Sequence, residues 1–182
     1  MQKVVLSEVS LVYGEVKTPK GFEIDRKTIK NIIIDSYVKE NRISDNVLDY
    51  SYNDYKIPHS QKLQWLVDYI RDHFKSEHHQ TLIPKLNFAT VLNSKEKSLN
   101  RNNIDPVDLR NAADYTCVYG VDINGDCDLV IEYDDNRRAG RTWRVPIKNN
   151  NYYIFPSTQR YFFTANKSNK LNVILTMTYE YI

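Results

Sequence analysis

The sequence predicts an α+β fold: an antiparallel β sandwich or jelly roll preceded by two helices. Three features carry that expectation. Between residues 113 and 182 the chain breaks into short runs rich in Val, Ile, Tyr and Thr, residue types that suit a pleated, half-buried surface. Turn signals at Asn124-Gly125, at 134–141 and at Pro156 separate the runs, and strands at this spacing suggest a sandwich or jelly roll. Ahead of them, two stretches carry apolar residues at helical intervals.

Taken in order, residues 3–13 hold two short apolar runs and suit one strand with a break near Ser7-Glu8. Gly14 to Gly21, with Pro19, reads as a turn region. Asp25 is a good N-cap for a helix over residues 26–39, whose face is Ile29, Ile32, Ile33 and Tyr37, with Val38 at its edge. Residues 41–57 are polar and tyrosine-rich and read as a long loop. Pro58-His59-Ser60 opens the second helix with Ser60 as N-cap; Leu63, Leu66, Tyr69, Ile70 and Phe74 form its stripe, with Trp65 near the edge. Glu77-His78-His79-Gln80 reads as a solvated helix end, because adjacent histidines diverge on any regular element and a histidinium suits a helix C-terminus. Residues 86–92 alternate and read as a strand, 93–101 as a polar loop, and 103–110 as the lead into the β-core.

Residues 113–123 form the first core strand. Asn124-Gly125 is a strong hairpin signal, since both central positions of a type I′ turn need φ > 0, and residues 126–133 return from it. A second, longer turn spans 134–141, with Gly140 available for a left-handed position. Residues 142–148 and 152–155 follow as strands, the latter stopped by Pro156, which has no N–H for a ladder. In the last strand, 171–182, Leu171, Val173, Leu175, Met177, Tyr179 and Tyr181 point to one side and Asn172, Ile174, Thr176, Thr178 and Glu180 to the other. With no linker, repeat or low-complexity segment, one domain over 1–182 is expected: an N-terminal strand and two helices in 1–100, the jelly-roll core in 101–182.

At 182 residues and 41% hydrophobic, the chain can bury a sizeable core. A net charge of +2 creates no global field that selects nucleic acid or membrane. No stretch approaches the ~18–20 apolar residues of a membrane span, and the run at residues 1–6 is too short and its flanks too polar for a signal peptide, so a cytoplasmic setting is expected. Cys117 and Cys127 fall on facing strands of the first hairpin but not opposite each other, and free thiols are expected. The 14 tyrosines suit either packing on a sheet or an interface.

The order of pieces from residue 103 to the end also carries a resemblance: YTCVYGV, a hairpin, DLVIEY, a turn, a strand into Phe155-Pro156-Ser157, then NKSNK and a final strand. This resembles the C-terminal core of the 2-oxoglutarate/Fe(II) oxygenases in the form that tailed phages carry. The resemblance implies a double-stranded β-helix with the second helix packed on its outside. It also implies where an iron site would be. The family holds Fe(II) with two histidines and one carboxylate, the first two ligands as His-x-Asp just before the strand that YTCVYGV resembles. Here Asn103-Ile104-Asp105 stands there, with Asn103 in the histidine's place. The second histidine follows the Phe-Pro-Ser stretch, and the count places Tyr161 there; no histidine occurs after His79. The basic partner of the 2-oxoglutarate carboxylate falls at Ile174, with Asn172 the alternative and Lys170 the nearest cation.

The expectation is therefore a kept fold without the chemistry: no metal, no cofactor and no catalytic residue. Other catalytic motifs are missing too; there is no Gly-x-Ser-x-Gly, no P-loop and no GxGxxG. Glu132, Asp134 and Asp135 are followed by Arg137, Arg138 and Arg141 and read as a charge-balanced turn. Two segments fit contact surfaces, the basic hairpin of Arg137, Arg138, Arg141 and Arg144 and the loop carrying Tyr50, Tyr52 and Tyr55, because Arg and Tyr are enriched where interfaces carry their energy. The resemblance then implies a structural protein of a tailed-phage virion, a neck, tail or baseplate component assembled in the host cytoplasm, with other virion proteins as partners in a symmetric ring. Nucleic acid stays open as a partner and a membrane does not. The alternative is a 2-oxoglutarate/Fe(II) dioxygenase with an atypical site.

Overall fold

The computed structural model describes residues 9–43, 54–58, 60–104, 107–136 and 139–182. Their elements run β1 (Val12–Glu15), α1 (Arg26–Ile43), β2 (Asp54–Lys56), α2 (Gln61–His78), β3 (Leu82–Leu92), β4 (Tyr115–Asp122), β5 (Asp128–Asn136), β6 (Ala139–Pro146), β7 (Asn151–Pro156), β8 (Arg160–Phe163) and β9 (Asn172–Tyr181). Six strands form one sheet in the order β1-β7-β4-β9-β3-β2, and three form a second in the order β6-β5-β8. Every pairing is antiparallel.

Period-2 alternation decides the layers. Val173, Leu175, Met177 and Tyr179 of β9 join Cys117, Tyr119, Tyr152 and Ile154 on the outer face of the six-stranded sheet. Against them lie Ile29 and Ile33 of α1 and Leu63, Leu66, Val67, Ile70 and Phe74 of α2. The opposite face supplies Leu92, Val118, Tyr153, Phe155 and Ile174, which meet Leu129, Ile131, Tyr161 and Phe163 of the smaller sheet. Fully burying each such aliphatic or phenyl group is worth ~1.5–3 kcal/mol, so both layers are strongly held. Thus the fold is an antiparallel jelly roll with two helices on one outer face.

The helices begin where their caps place them. Asp25 accepts the Thr28 N–H at 3.0 Å on Oδ1, and Ser60 Oγ accepts the Leu63 N–H at 3.2 Å. α2 ends on His79 at φ 55, whose N–H reaches the Lys75 carbonyl. Lys30 and Asp122 form an ion pair that ties α1 to the end of β4.

Several expectations need correction. Asn124-Gly125 makes no hairpin: β4 belongs to the six-stranded sheet and β5 to the other, so the connection crosses between sheets. Tertiary bonds override the turn propensity there, since Asn124 Nδ2 donates to the Leu171 carbonyl at 2.7 Å and Asn124 N to Asn172 Oδ1 at 2.8 Å. Gly125 is needed for close approach instead, as a Cβ would lie 2.7 Å from Cβ of Ser168. Cys117 and Cys127 are consequently not on one hairpin but in the two different cores, both as free thiols. The 134–141 turn is shorter than expected, because β5 and β6 pair as far as Asn136 with Ala139, and Gly140 lies in β6 opposite Asp134. Residues 41–57 are not all loop: α1 continues to Ile43, and β2 pairs with β3. β8 is a strand that the sequence reading does not include, and β1 keeps Gly14 and Glu15 in strand, paired with β7. At Gly120 a Cβ would sit 2.1 Å from the Lys148 carbonyl oxygen; only glycine lets the 147–150 turn close on β4.

Candidate functional site

The site lies at one end of the space between the sheets. Residues 98–103 run antiparallel beside β8. Arg101 and Tyr161 exchange both backbone bonds, at 3.0 and 2.7 Å, and Asn103 N donates to the Ser157 carbonyl at 3.3 Å. Arg101 and Asn103 are two residues apart, so an extended backbone carries both side chains to the same face. Asn103 Nδ2 donates to Thr116 Oγ1 at 2.8 Å and to Tyr161 Oη at 3.1 Å. Thr116 Oγ1 lies 2.9 Å from Ser157 Oγ. Arg101 Nε donates to the same phenol oxygen at 3.1 Å, and its Nη2 to Thr90 Oγ1 at 3.0 Å. The rings of Phe155 and Tyr161 meet edge-on at 5.2 Å and close this end. A cleft of about 340 Å³ lined by Phe88, Asn103, Ile104, Ala112 and Thr178 opens beside it.

The two residues that the resemblance puts at the histidine positions, Asn103 and Tyr161, are thus in direct contact. Asp105 lies outside the described residues. Fe(II) in such a fold asks for imidazole and carboxylate lone pairs. Asn103 turns an N–H, a proton donor, toward Tyr161, and the phenol oxygen already accepts two N–H bonds. Among the described residues no three His, Cys, Asp or Glu side chains come together. Asn103 and Tyr161, as they stand, do not fit the metal.

Arg101, in the stretch that reads as a polar loop, brings a cation between the sheets. Ile174, the position expected for the basic residue, is fully buried among the interior apolar groups. Asn172 uses its side-chain oxygen on the Asn124 N–H, and Lys170 is exposed at the start of β9. The one sequence signal for Arg101 is its two-residue spacing from Asn103.

His73, His78 and His79 lie away from this site. His73 Nδ1 lies 2.8 Å from Tyr152 Oη on the helix side of the six-stranded sheet, where burial pushes that phenol up to about 12. His78 packs its ring on Phe74 at 4.6 Å, His79 caps α2, and His59 lies outside the described residues. Burial likewise pushes the Cys127 thiol up to about 12 and Cys117 higher still, so neither is an activated nucleophile.

Of the expected contact residues, Arg137, Arg138, Tyr50 and Tyr52 lie outside the described residues. Tyr55 sits in β2 opposite Ala89. Arg141 and Arg144 are exposed on β6, an edge strand, and Arg144 Nε lies 3.7 Å from Asp128 Oδ2.

No protein-family model and no curated protein sequence matches the chain. Solved structures do match in shape. The non-heme α-ketoglutarate-dependent carbocyclase SnoK from nogalamycin biosynthesis superposes with a TM-score of 0.65 at 10% identity, covering 94% of this chain and 79% of that one. AviO1 from Streptomyces viridochromogenes gives 0.62 at 11% identity, covering 94% and 90%. A Pseudomonas putida prolyl-4-hydroxylase gives 0.58 at 9% identity, covering 93% and 91%. The chain has the jelly-roll fold of the 2-oxoglutarate/Fe(II) oxygenases. Likeness at these identities is a likeness of fold, and the activity of those enzymes is theirs.

Proposed function

We propose that this oxygenase-fold chain is a non-enzymatic structural or assembly protein of a tailed-phage particle. The observation that carries the non-enzymatic part is the 3.1 Å hydrogen bond from the Asn103 amide to the Tyr161 phenol, at the positions where the fold's enzymes would place imidazoles. With Asn103 Nδ2 donating to Tyr161 Oη, and that oxygen also accepting from Arg101 Nε, these two atoms are engaged with each other rather than aimed at a metal. The phage setting rests on the resemblance in strand order and in Phe155-Pro156-Ser157. In this reading other particle proteins contact the β5–β6 hairpin, through Arg137, Arg138, Arg141 and Arg144, and the segment around Tyr50, Tyr52 and Tyr55.

Thermal denaturation with Fe(II) and 2-oxoglutarate tests the first part. A ligand at 100 times its Kd adds ~2.7 kcal/mol, a rise of roughly 5–10 °C for a chain of this size. The proposal predicts no rise, and a rise that needs both ligands supports an atypical oxygenase instead. Replacing Arg137, Arg138 and Arg141 by Ser tests the second part. An unchanged melting temperature with loss of incorporation into particles supports docking, and normal incorporation contradicts it.

A further inference from the structure

We propose that the jelly-roll interior is a guanidinium cage that the chain fills with its own Arg101. The guanidinium carbon lies 5.5 Å from the Phe88 ring centre, 5.2 Å from Tyr161 and 5.7 Å from Phe163. Phe88 belongs to the six-stranded sheet and the other two rings to the smaller one, so the cation sits between the sheets. Ring faces attract a cation through their quadrupole. The edge of the same group meets acceptors, Thr90 Oγ1 at 3.0 Å and Tyr161 Oη at 3.1 Å. Aromatic faces with hydroxyl acceptors at the edge suit a planar fork of N–H donors, not a compact ammonium.

The walls are held independently of the cation. Phe163 N donates to Ser98 Oγ at 2.7 Å, and Tyr161 stacks edge-on between Phe155 and Phe163. Tyr161, Phe163 and Thr90 are fully buried. The Arg101 backbone is fixed by its bonds to Tyr161. Arg101 and Phe88 are half-buried, so truncating Arg101 leaves a partly open recess whose ligand class is the guanidinium ion and small alkylguanidinium ions. The cage does not require the phage reading.

The test is melting of Arg101→Ala in guanidinium chloride at concentrations far below denaturing, against equal potassium chloride and tetramethylammonium chloride. The cage predicts a fall of roughly 5–10 °C in the variant. Guanidinium alone should recover part of it, while the wild type gains nothing. An unchanged melting temperature, or recovery no greater than in potassium chloride, overturns the proposal. Should the alanine variant fail to fold, Arg101→Lys and Arg101→Met decide. Lysine keeps a charge over the rings, and methionine keeps only the apolar stem. The cage predicts lysine between wild type and methionine; methionine equal to or above lysine reduces the site to ring packing and overturns it.

Discussion

The layer between the helices and the six-stranded sheet and the layer between the two sheets share the same strands but bury different chemistry. On β9, the helix side receives Val173, Leu175, Met177 and Tyr179, while the inner side receives Asn172, Ile174, Thr176 and Thr178. Thr90, Thr116 and Ser157 add further buried hydroxyls to the inner side. A mostly apolar layer is held chiefly by area and tolerates volume-conserving change. A polar interior is held by specific partners, and each hydroxyl left unpaired there costs ~1–3 kcal/mol. Both sides add stability, and the inner side also sets which groups stand where Asn103, Tyr161 and Arg101 meet.

The largest effect should come from the helix side. Leu66 is fully buried against the sheet, and Leu66→Ala is expected to lose ~2–5 kcal/mol by urea unfolding. A loss under 1 kcal/mol would mean that the helices are loosely laid on the sheet. Next comes Thr116→Val, which is nearly isosteric but removes the oxygen that serves both Asn103 and Ser157. It should cost ~1–3 kcal/mol, and a neutral result would break the contrast between the layers.

A smaller effect belongs to Asp25. Its carboxyl is held below the usual carboxylate range by the Thr28 backbone N–H and hydroxyl bonds. A depressed folded value adds stability above the unfolded value of ~3.9 and loses it as pH falls through the folded one. The melting temperature of Asp25→Ala should thus trail wild type at neutral pH, by less than Thr116→Val does, and converge with it in acid. A gap that persists in acid removes the charge from the account. Smallest of all is Thr176→Val. Its buried hydroxyl has no hydrogen-bond partner among the described residues, so an apolar isostere should be neutral or stabilising. A clear loss would show that the hydroxyl is satisfied in solution, by water for instance.

What the sequence reveals divides along the same line. Alternation and capping are local, so the two faces of β9 and the starts of both helices at Asp25 and Ser60 can be read directly. Sheet membership is not local. Asn124-Gly125 carries a hairpin signal, yet Leu171 and Asn172, more than forty residues on, hold Asn124 in a crossover. Arg101 sits among polar residues, and only its backbone pairing with Tyr161, sixty positions away, turns it inward. No pattern in composition points to the contact of Asn103 with Tyr161; only the family resemblance brings the two positions together. Nothing local distinguishes the phenol that closes this site from the other tyrosines.

Iron content of the wild-type chain tests the central claim most directly. The protein would be purified anaerobically, incubated with excess Fe(II), desalted and measured for metal per chain. If Asn103 and Tyr161 satisfy each other as described, the wild type retains essentially none. Retention of about one iron per chain, abolished by Asn103→Ala or Tyr161→Phe, would contradict the account, because those side chains would then be ligands rather than partners of each other.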